Sequence, residues 1–185
     1  MESKKIYIFL GPPYSGKETQ TIPLGLELGI PVFSMGQLIR EARQDPKIEE
    51  AFQQYTLKGL HVPIDIKFGL LASKMEEAMN GFILDNFPGS TEDLEAFNRY
   101  MDRNQLEVTR VFYLKIDENE IMNRFAANPH RGRADDSQET LLIRSKIQGN
   151  DREPVLQYYK EKGKLVEING ALSREAVYQE IKEHI

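Results

Sequence analysis

One segment constrains this chain more than any other: Gly11-Pro12-Pro13-Tyr14-Ser15-Gly16-Lys17-Glu18-Thr19-Gln20. The apolar run Ile6 to Leu10 feeds into it and reads as a buried parallel strand. From Lys17 onward the pattern is that of a helix beginning. Between strand and helix, glycines let backbone N–H groups turn inward toward an anion, and the helix N-terminus adds partial positive charge. Lys17 supplies a compact cation for terminal phosphates. An ordinary Gly/Pro turn would also join a strand to a helix, but the Lys at this place favours phosphate binding. The general phosphate-loop pattern puts Ser or Thr directly after the Lys; here Glu18 stands there and Thr19 follows.

Composition narrows the function classes. With 185 residues the chain suits one domain carrying small insertions. A net charge of −5 argues against a general nucleic-acid binder, which needs a basic face, so phosphate contacts must come from local Arg and Lys. There is no cysteine, which excludes disulfides, thiolate zinc sites and a catalytic thiol. Lys4-Lys5 before an apolar run resembles a leader only briefly, because Gly-Pro-Pro ends the run. No apolar stretch reaches membrane-spanning length, and the expected setting is the cytoplasm.

Along the chain, strand and helix patterns alternate. The helix after the loop is expected to end at Gly29 and to kink at Pro23. Pro31 to Phe33 reads as a strand, with Ser34 capping a helix that carries Arg40. Asp45-Pro46 breaks that helix, and another is expected from Ile48 to Lys58. A helix from Ile64 to Met79 buries Ile64, Phe68, Leu71 and Met75. Gly81 to Asp85 is a buried strand, and Ser90 and Asp117 read as helix caps. A strand over 108–116, a long helix over 138–162 containing Pro154, a strand over 164–169 and a helix capped by Ser173 complete the chain. This alternation predicts an α/β fold, a parallel sheet with helices on both faces.

Asp85, closing an apolar strand downstream of a phosphate loop, is placed to hold Mg²⁺, often through water. Read alone, it would sooner cap the next turn; the phosphate loop upstream is what favours the metal role.

Several motifs in order resemble the adenylate kinases and related nucleoside monophosphate kinases. Their loop is Gly-x-Pro-Gly-x-Gly-Lys-Gly-Thr-Gln, matched at Gly11, Pro13, Gly16, Lys17, Thr19 and Gln20. Ser34-Met35-Gly36-Gln37-Leu38-Ile39-Arg40 is similar to their acceptor-phosphate motif, and Gly59-Leu60-His61-Val62-Pro63 to the segment lining the acceptor base. Gly81 to Pro88 resembles their Gly-Phe-[apolar]₂-Asp-Gly-Phe-Pro-Arg. Arg133-Ala134-Asp135-Asp136, Arg144, Pro154 and the pair Tyr158-Tyr159 follow in family order.

The resemblance implies a P-loop three-layer fold with a five-stranded parallel sheet. It implies a single domain: core 1–33, 64–127 and 137–185, an acceptor-binding insertion about 34–63, and a short lid about 128–136. It further implies reversible phosphoryl transfer from Mg-ATP to AMP by a monomer, with no nucleic-acid or membrane partner. By the same match Lys17, Arg133 and Arg144 serve catalysis. ATP falls to Gly11, Pro13, Ser15, Gly16, Lys17, Thr19 and Arg124, the last stacking on the donor base. AMP falls to Ser34, Gly36, Arg40, Gly59 and Val62, and Mg²⁺ to Asp85. Two anionic nucleotides brought head to head need such a ring of cations, and Arg grips phosphate bidentately.

Departures concentrate on the acceptor side. Gly89 stands where the family has a phosphate-gripping Arg, and Asp93 where a Gln reads adenine. Met35 replaces Thr and Asn86 replaces Gly. Tyr14 and Glu18 replace loop glycines, and Asn128 replaces a donor-side Arg. Arg43 is expected to assist Arg40, and Gly89→Arg to tighten the acceptor. A kinase for another monophosphate, or a nucleotide sensor without turnover, are the other readings these departures keep open.

Overall fold

A computed structural model describes residues 4–128 and 137–185 of the chain. Its centre is β1 (Lys5–Leu10), whose side chains alternate between two cores as the period of a strand demands. Ile6, Ile8 and Leu10 point into one cluster, Tyr7 and Phe9 into the other. Both faces are apolar, which is why this strand carries no polar alternation.

Five parallel strands lie in the order β2-β3-β1-β4-β5, with β2 (Val32–Ser34), β3 (Gly81–Asp85), β4 (Arg110–Lys115) and β5 (Leu165–Asn169). Parallel neighbours require crossovers, and helices supply them. On the Tyr7 face pack α1 (Lys17–Leu28) and α8 (Arg174–Lys182), through Leu24, Val177 and Ile181. On the Ile6 face pack α2 (Met35–Glu41), α3 (Pro46–Gln54), α4 (Ile64–Glu77), α5 (Thr91–Arg103) and α7 (Gln138–Glu161). The α/β class, the parallel sheet and the three layers are as expected from the sequence.

Local details both follow and correct the reading. Asp45 caps α3, its carboxylate accepting from Lys47 N at 2.8 Å, so α3 starts at Pro46 and not at Ile48. That helix stops at Gln54, and Thr56–Lys58 form a separate 3-10 turn closed by Gly59 at φ 75°. Ser90, Asp117 and Ser173 cap α5, α6 (Glu118–Ala127) and α8 as expected, each bond stabilising its helix by about 1 kcal/mol. Ser34 holds the N-cap position of α2 but makes no capping bond. Pro23 and Pro154 lie inside α1 and α7, which each continue as one helix. The inward stripe of α4 runs Lys67, Leu71, Met75 at four-residue spacing, so a lysine shares a face assigned from sequence to apolar residues alone.

Candidate active site

The carboxyl ends of β1 and β3 open into a cleft of about 680 Å³. Strand register sets Phe9 beside Asp85, which brings the phosphate loop and the β3 carboxylate to the same edge. Two glycines shape the loop. A Cβ on Gly11 would lie 2.7 Å from both Leu114 O and Ser15 Oγ, so only glycine lets the backbone pass. Gly16 is left-handed at φ 89° and forms the N-cap of α1 without any side-chain cap. The first N–H groups of α1 are therefore left to face an anion rather than a capping side chain.

Lys17 folds back over this loop. Its Nζ donates to Gly11 O at 2.9 Å, Pro12 O at 3.1 Å and Ser15 Oγ at 3.3 Å. Thr19 Oγ1 donates to Gly16 O at 2.6 Å and ties the first turn of α1 to the loop. The ammonium thus rests on loop oxygens at the place where an arriving phosphate would offer stronger, charged acceptors.

Tyr14 also adopts left-handed backbone, φ 63°, a conformation costly for a bulky residue. Its ring is buried with Ile121 and Leu141 and meets Phe125 edge-on at 5.8 Å. Its hydroxyl donates to Asn128 O at 3.2 Å, and its carbonyl accepts from Arg124 Nη1 at 3.1 Å. Arg124 further donates through Nη2 to Gly170 O at 2.8 Å and through Nε to Glu120 at 2.6 Å. That guanidinium lines the cleft while fastening the loop to α6 and to the turn after β5. Leu172, Ser173, Arg174 and Val177 bring that turn and the start of α8 into the same wall, none of them flagged by a motif.

Across the cleft stand Ser34, Gly36, Arg40 and Val62. Behind them α7 grips the 3-10 turn with one face. Thr140 Oγ1 donates to Leu57 O at 3.1 Å, Arg144 Nη2 to Thr56 O at 3.5 Å, and Gln148 Nε2 to Gly59 O at 3.0 Å. The four-residue spacing of these three puts them on a single helical face. Arg144 also lines the cleft; Gly59 does not, and acts by shaping the turn. Arg133, with Arg131, His130, Asp135 and Asp136, lies outside the described residues.

The acceptor-side departures are structurally connected. Gly89 is buried, and its N–H donates to Asp93 Oδ2 at 3.0 Å. Asp93 Oδ1 is the ionic partner of Lys67, and both line the cleft. A Cβ on Gly89 would sit 3.2 Å from His61 Cε1 and 3.6 Å from Asp93 Oδ2. An arginine there would start beneath His61 and beside a carboxylate, so the imidazole would have to give by a few tenths of an ångström and Asp93 would compete for the guanidinium that the sequence reading assigns to the acceptor phosphate. The expectation for Arg43 is corrected. It is absent from the cleft wall and is engaged with Glu49 at 2.6 Å and with the Phe52 ring at 4.1 Å. His61, given no role from sequence, lines the cleft with its Nε2 3.4 Å from Asp151 Oδ2. Burial, then the Lys67 cation, hold its imidazole below the usual pKa.

Asp85 is buried at the end of β3 and faces the cleft. Among the described residues no cluster of three or more His, Cys, Asp or Glu could cage a metal. That donor set, one carboxylate beside a phosphate loop, fits a hard cation held jointly by protein and substrate oxygens. Among the described residues no helix is long and apolar enough to cross a membrane.

The chain matches the adenylate kinase family model over residues 9–164. It is 34% identical over 168 residues to a protein named adenylate kinase from Mycolicibacterium paratuberculosis, covering 89% of this chain and 91% of that one. A Mycobacterium tuberculosis protein of the same name is 33% identical over the same shares.

Proposed function

The chain belongs to the adenylate kinase family, the nucleoside monophosphate kinases that move the terminal phosphoryl group of ATP to AMP, and on that premise we propose the roles of its residues. The observation that carries the reading is the convergence of two unlike walls on one cleft. One wall is a phosphate loop with its Lys17, the other the Ser34–Arg40 and Val62 surface, with Asp85 at the sheet edge near the loop.

The donor occupies the loop side. Gly11, Pro13, Ser15, Gly16 and Thr19 enclose its phosphates, and Lys17 leaves its loop oxygens for the terminal ones. Arg124 and Leu172 flank its base. The acceptor occupies the other wall, with Arg40 on its phosphate, Ser34 and Gly36 beside it, and Val62 and the turn at Gly59 against its base. Arg144, anchored on Thr56 O, reaches the cleft between the two and stabilises the migrating group; Arg133 joins it by the family match. Asp85 would hold Mg²⁺, which when bound would neutralise charge on the donor phosphates. No covalent intermediate on the protein is needed, since positioning and charge stabilisation suffice. The division into a core, an acceptor insertion at 34–63 and a lid at 128–136 belongs to this same proposal. So do a monomeric state, because one chain supplies every assigned group, and a cytoplasmic setting, where ATP is the donor.

The test is direct: the chain is incubated with Mg-ATP and AMP, and ADP is measured, with Lys17→Ala as the partner sample. Wild type should form ADP and Lys17→Ala should lose at least about a hundredfold in kcat/KM, since more than one charged contact disappears. A folded Lys17→Ala protein with near wild-type turnover would defeat the assignment.

A further inference from the structure

The acceptor half contains a buried ion pair that these assignments leave unused. Lys67, on the inward stripe of α4, is 3% exposed, and Asp93, in the first turn of α5, is 1% exposed. Both still line the cleft. Lys67 Nζ abuts Asp93 Oδ1, while Asp93 Oδ2 accepts the Gly89 N–H at 3.0 Å. Such a pair is a poor device for stability, because apolar residues of equal volume generally serve as well. Its chemistry is more informative. An ammonium carries three N–H donors, and a single carboxylate oxygen does not absorb three. Each carboxylate oxygen keeps room for a further donor. The floor of the pocket therefore sets a charged donor and a charged acceptor side by side, shielded from water.

We propose that the Lys67–Asp93 pair makes guanosine monophosphate an acceptor alongside AMP. The proposal rests on the acceptor wall assigned above. The guanine edge presents a carbonyl oxygen, O6, next to two donors, N1–H and the 2-amino group. Lys67 donates to O6, and the Asp93 oxygens accept the two N–H groups. Adenine presents one amino donor and one ring-nitrogen acceptor, a match for a neutral carboxamide, the group that the family resemblance places at position 93. Asp93 accepts only, so the donor role passes to Lys67, and adenine offers that carboxylate one N–H group where guanine offers two. The reaction is otherwise unchanged. The bond between the γ-phosphorus and its bridging oxygen breaks with its electron pair left on ADP. A new bond forms to an oxygen of the acceptor phosphate.

The test measures kcat/KM of the full chain with Mg-ATP and, separately, AMP, GMP, IMP and CMP. GMP should reach at least one tenth of the AMP value, with IMP below GMP because it lacks the 2-amino group. The Lys67→Met/Asp93→Gln double variant should lower the GMP-to-AMP ratio about tenfold, the worth of one charged contact. The KM for ATP should not move, which a merely structural role for the pair would not ensure. GMP more than tenfold poorer than AMP in wild type would overturn the proposal, as would an unchanged ratio in a folded double variant. Should the variant not fold, the wild-type panel decides alone. If no monophosphate is phosphorylated, AMP included, the phosphotransfer reading itself has failed; transfer to AMP without GMP defeats only this proposal.

Discussion

The hydroxyl of Tyr14, at the tip of the phosphate loop, donates to the carbonyl of Asn128, 3.2 Å away at the end of α6. Few residues would be worse suited than tyrosine to a backbone φ of 63°. The strain, about 1–2 kcal/mol, persists because ring burial against Phe125 and two hydrogen bonds to α6 over-determine the position. The loop is thereby fastened to the helix that carries Arg124.

We expect Tyr14→Phe, which keeps the ring and loses the hydroxyl, to raise KM for ATP about fivefold, one neutral hydrogen bond's worth. Tyr14→Gly should relieve the strain yet raise that KM further, because the loop loses its anchor. KM for AMP should stay constant in both. Steady-state kinetics with each nucleotide varied would show it, and unchanged ATP values in both variants would exclude an anchoring role.

Gly89→Arg should not improve AMP use. The new side chain begins 3.2 Å from His61 Cε1 and beside Asp93, so it meets a packed imidazole and competes with Lys67 for one carboxylate. The expected outcome is a lower Tm by several degrees and a kcat/KM for AMP at or below wild type. A gain of about tenfold in kcat/KM would show that the guanidinium does reach the acceptor phosphate.

Gln148→Ala should act on the acceptor alone. Its amide holds Gly59 O at 3.0 Å from the face of α7 that also presents Thr140 and Arg144. Losing one neutral bond, about 1 kcal/mol, should raise KM for AMP about fivefold and leave KM for ATP in place. Isothermal titration of each nucleotide separates the two, and equal weakening of both would contradict this assignment.

His61 makes stability depend on pH. Burial and the nearby Lys67 lower its pKa from the usual 6.5, with Arg152 adding to them, against Asp93 and Asp151, which act the other way. The unfolded chain then binds the proton more readily than the folded one. The stabilising contribution is full above about pH 6.5 and is lost as pH falls through the folded value. Tm should therefore fall between pH 7 and 5, and His61→Gln should flatten that fall. Parallel slopes for variant and wild type would remove His61 as the cause.

Much of this molecule follows from local sequence. Short apolar runs bounded by turn residues, such as Ile6–Leu10 and Phe82–Leu84, read as buried strands, and helix starts followed at Ser90, Asp117 and Ser173, each a cap before an acidic first turn. The phosphate loop was legible because its chemistry is contained in a few consecutive residues with glycine at fixed places. That Asp85 and Arg40 line the cleft was legible because each sits in a short motif of its own. What only the tertiary structure decided involves residues distant in sequence. Lys67 was invisible because a lone lysine on an amphipathic helix ordinarily faces water; Asp93, arriving from another helix, is what makes its burial tolerable. Gly89 read as a missing charge until the fold packed His61 over it. Arg43 and Arg124 show the same limit, since a guanidinium's reach is evident from its type while its partner depends on which carboxylates, carbonyls and rings the fold brings near.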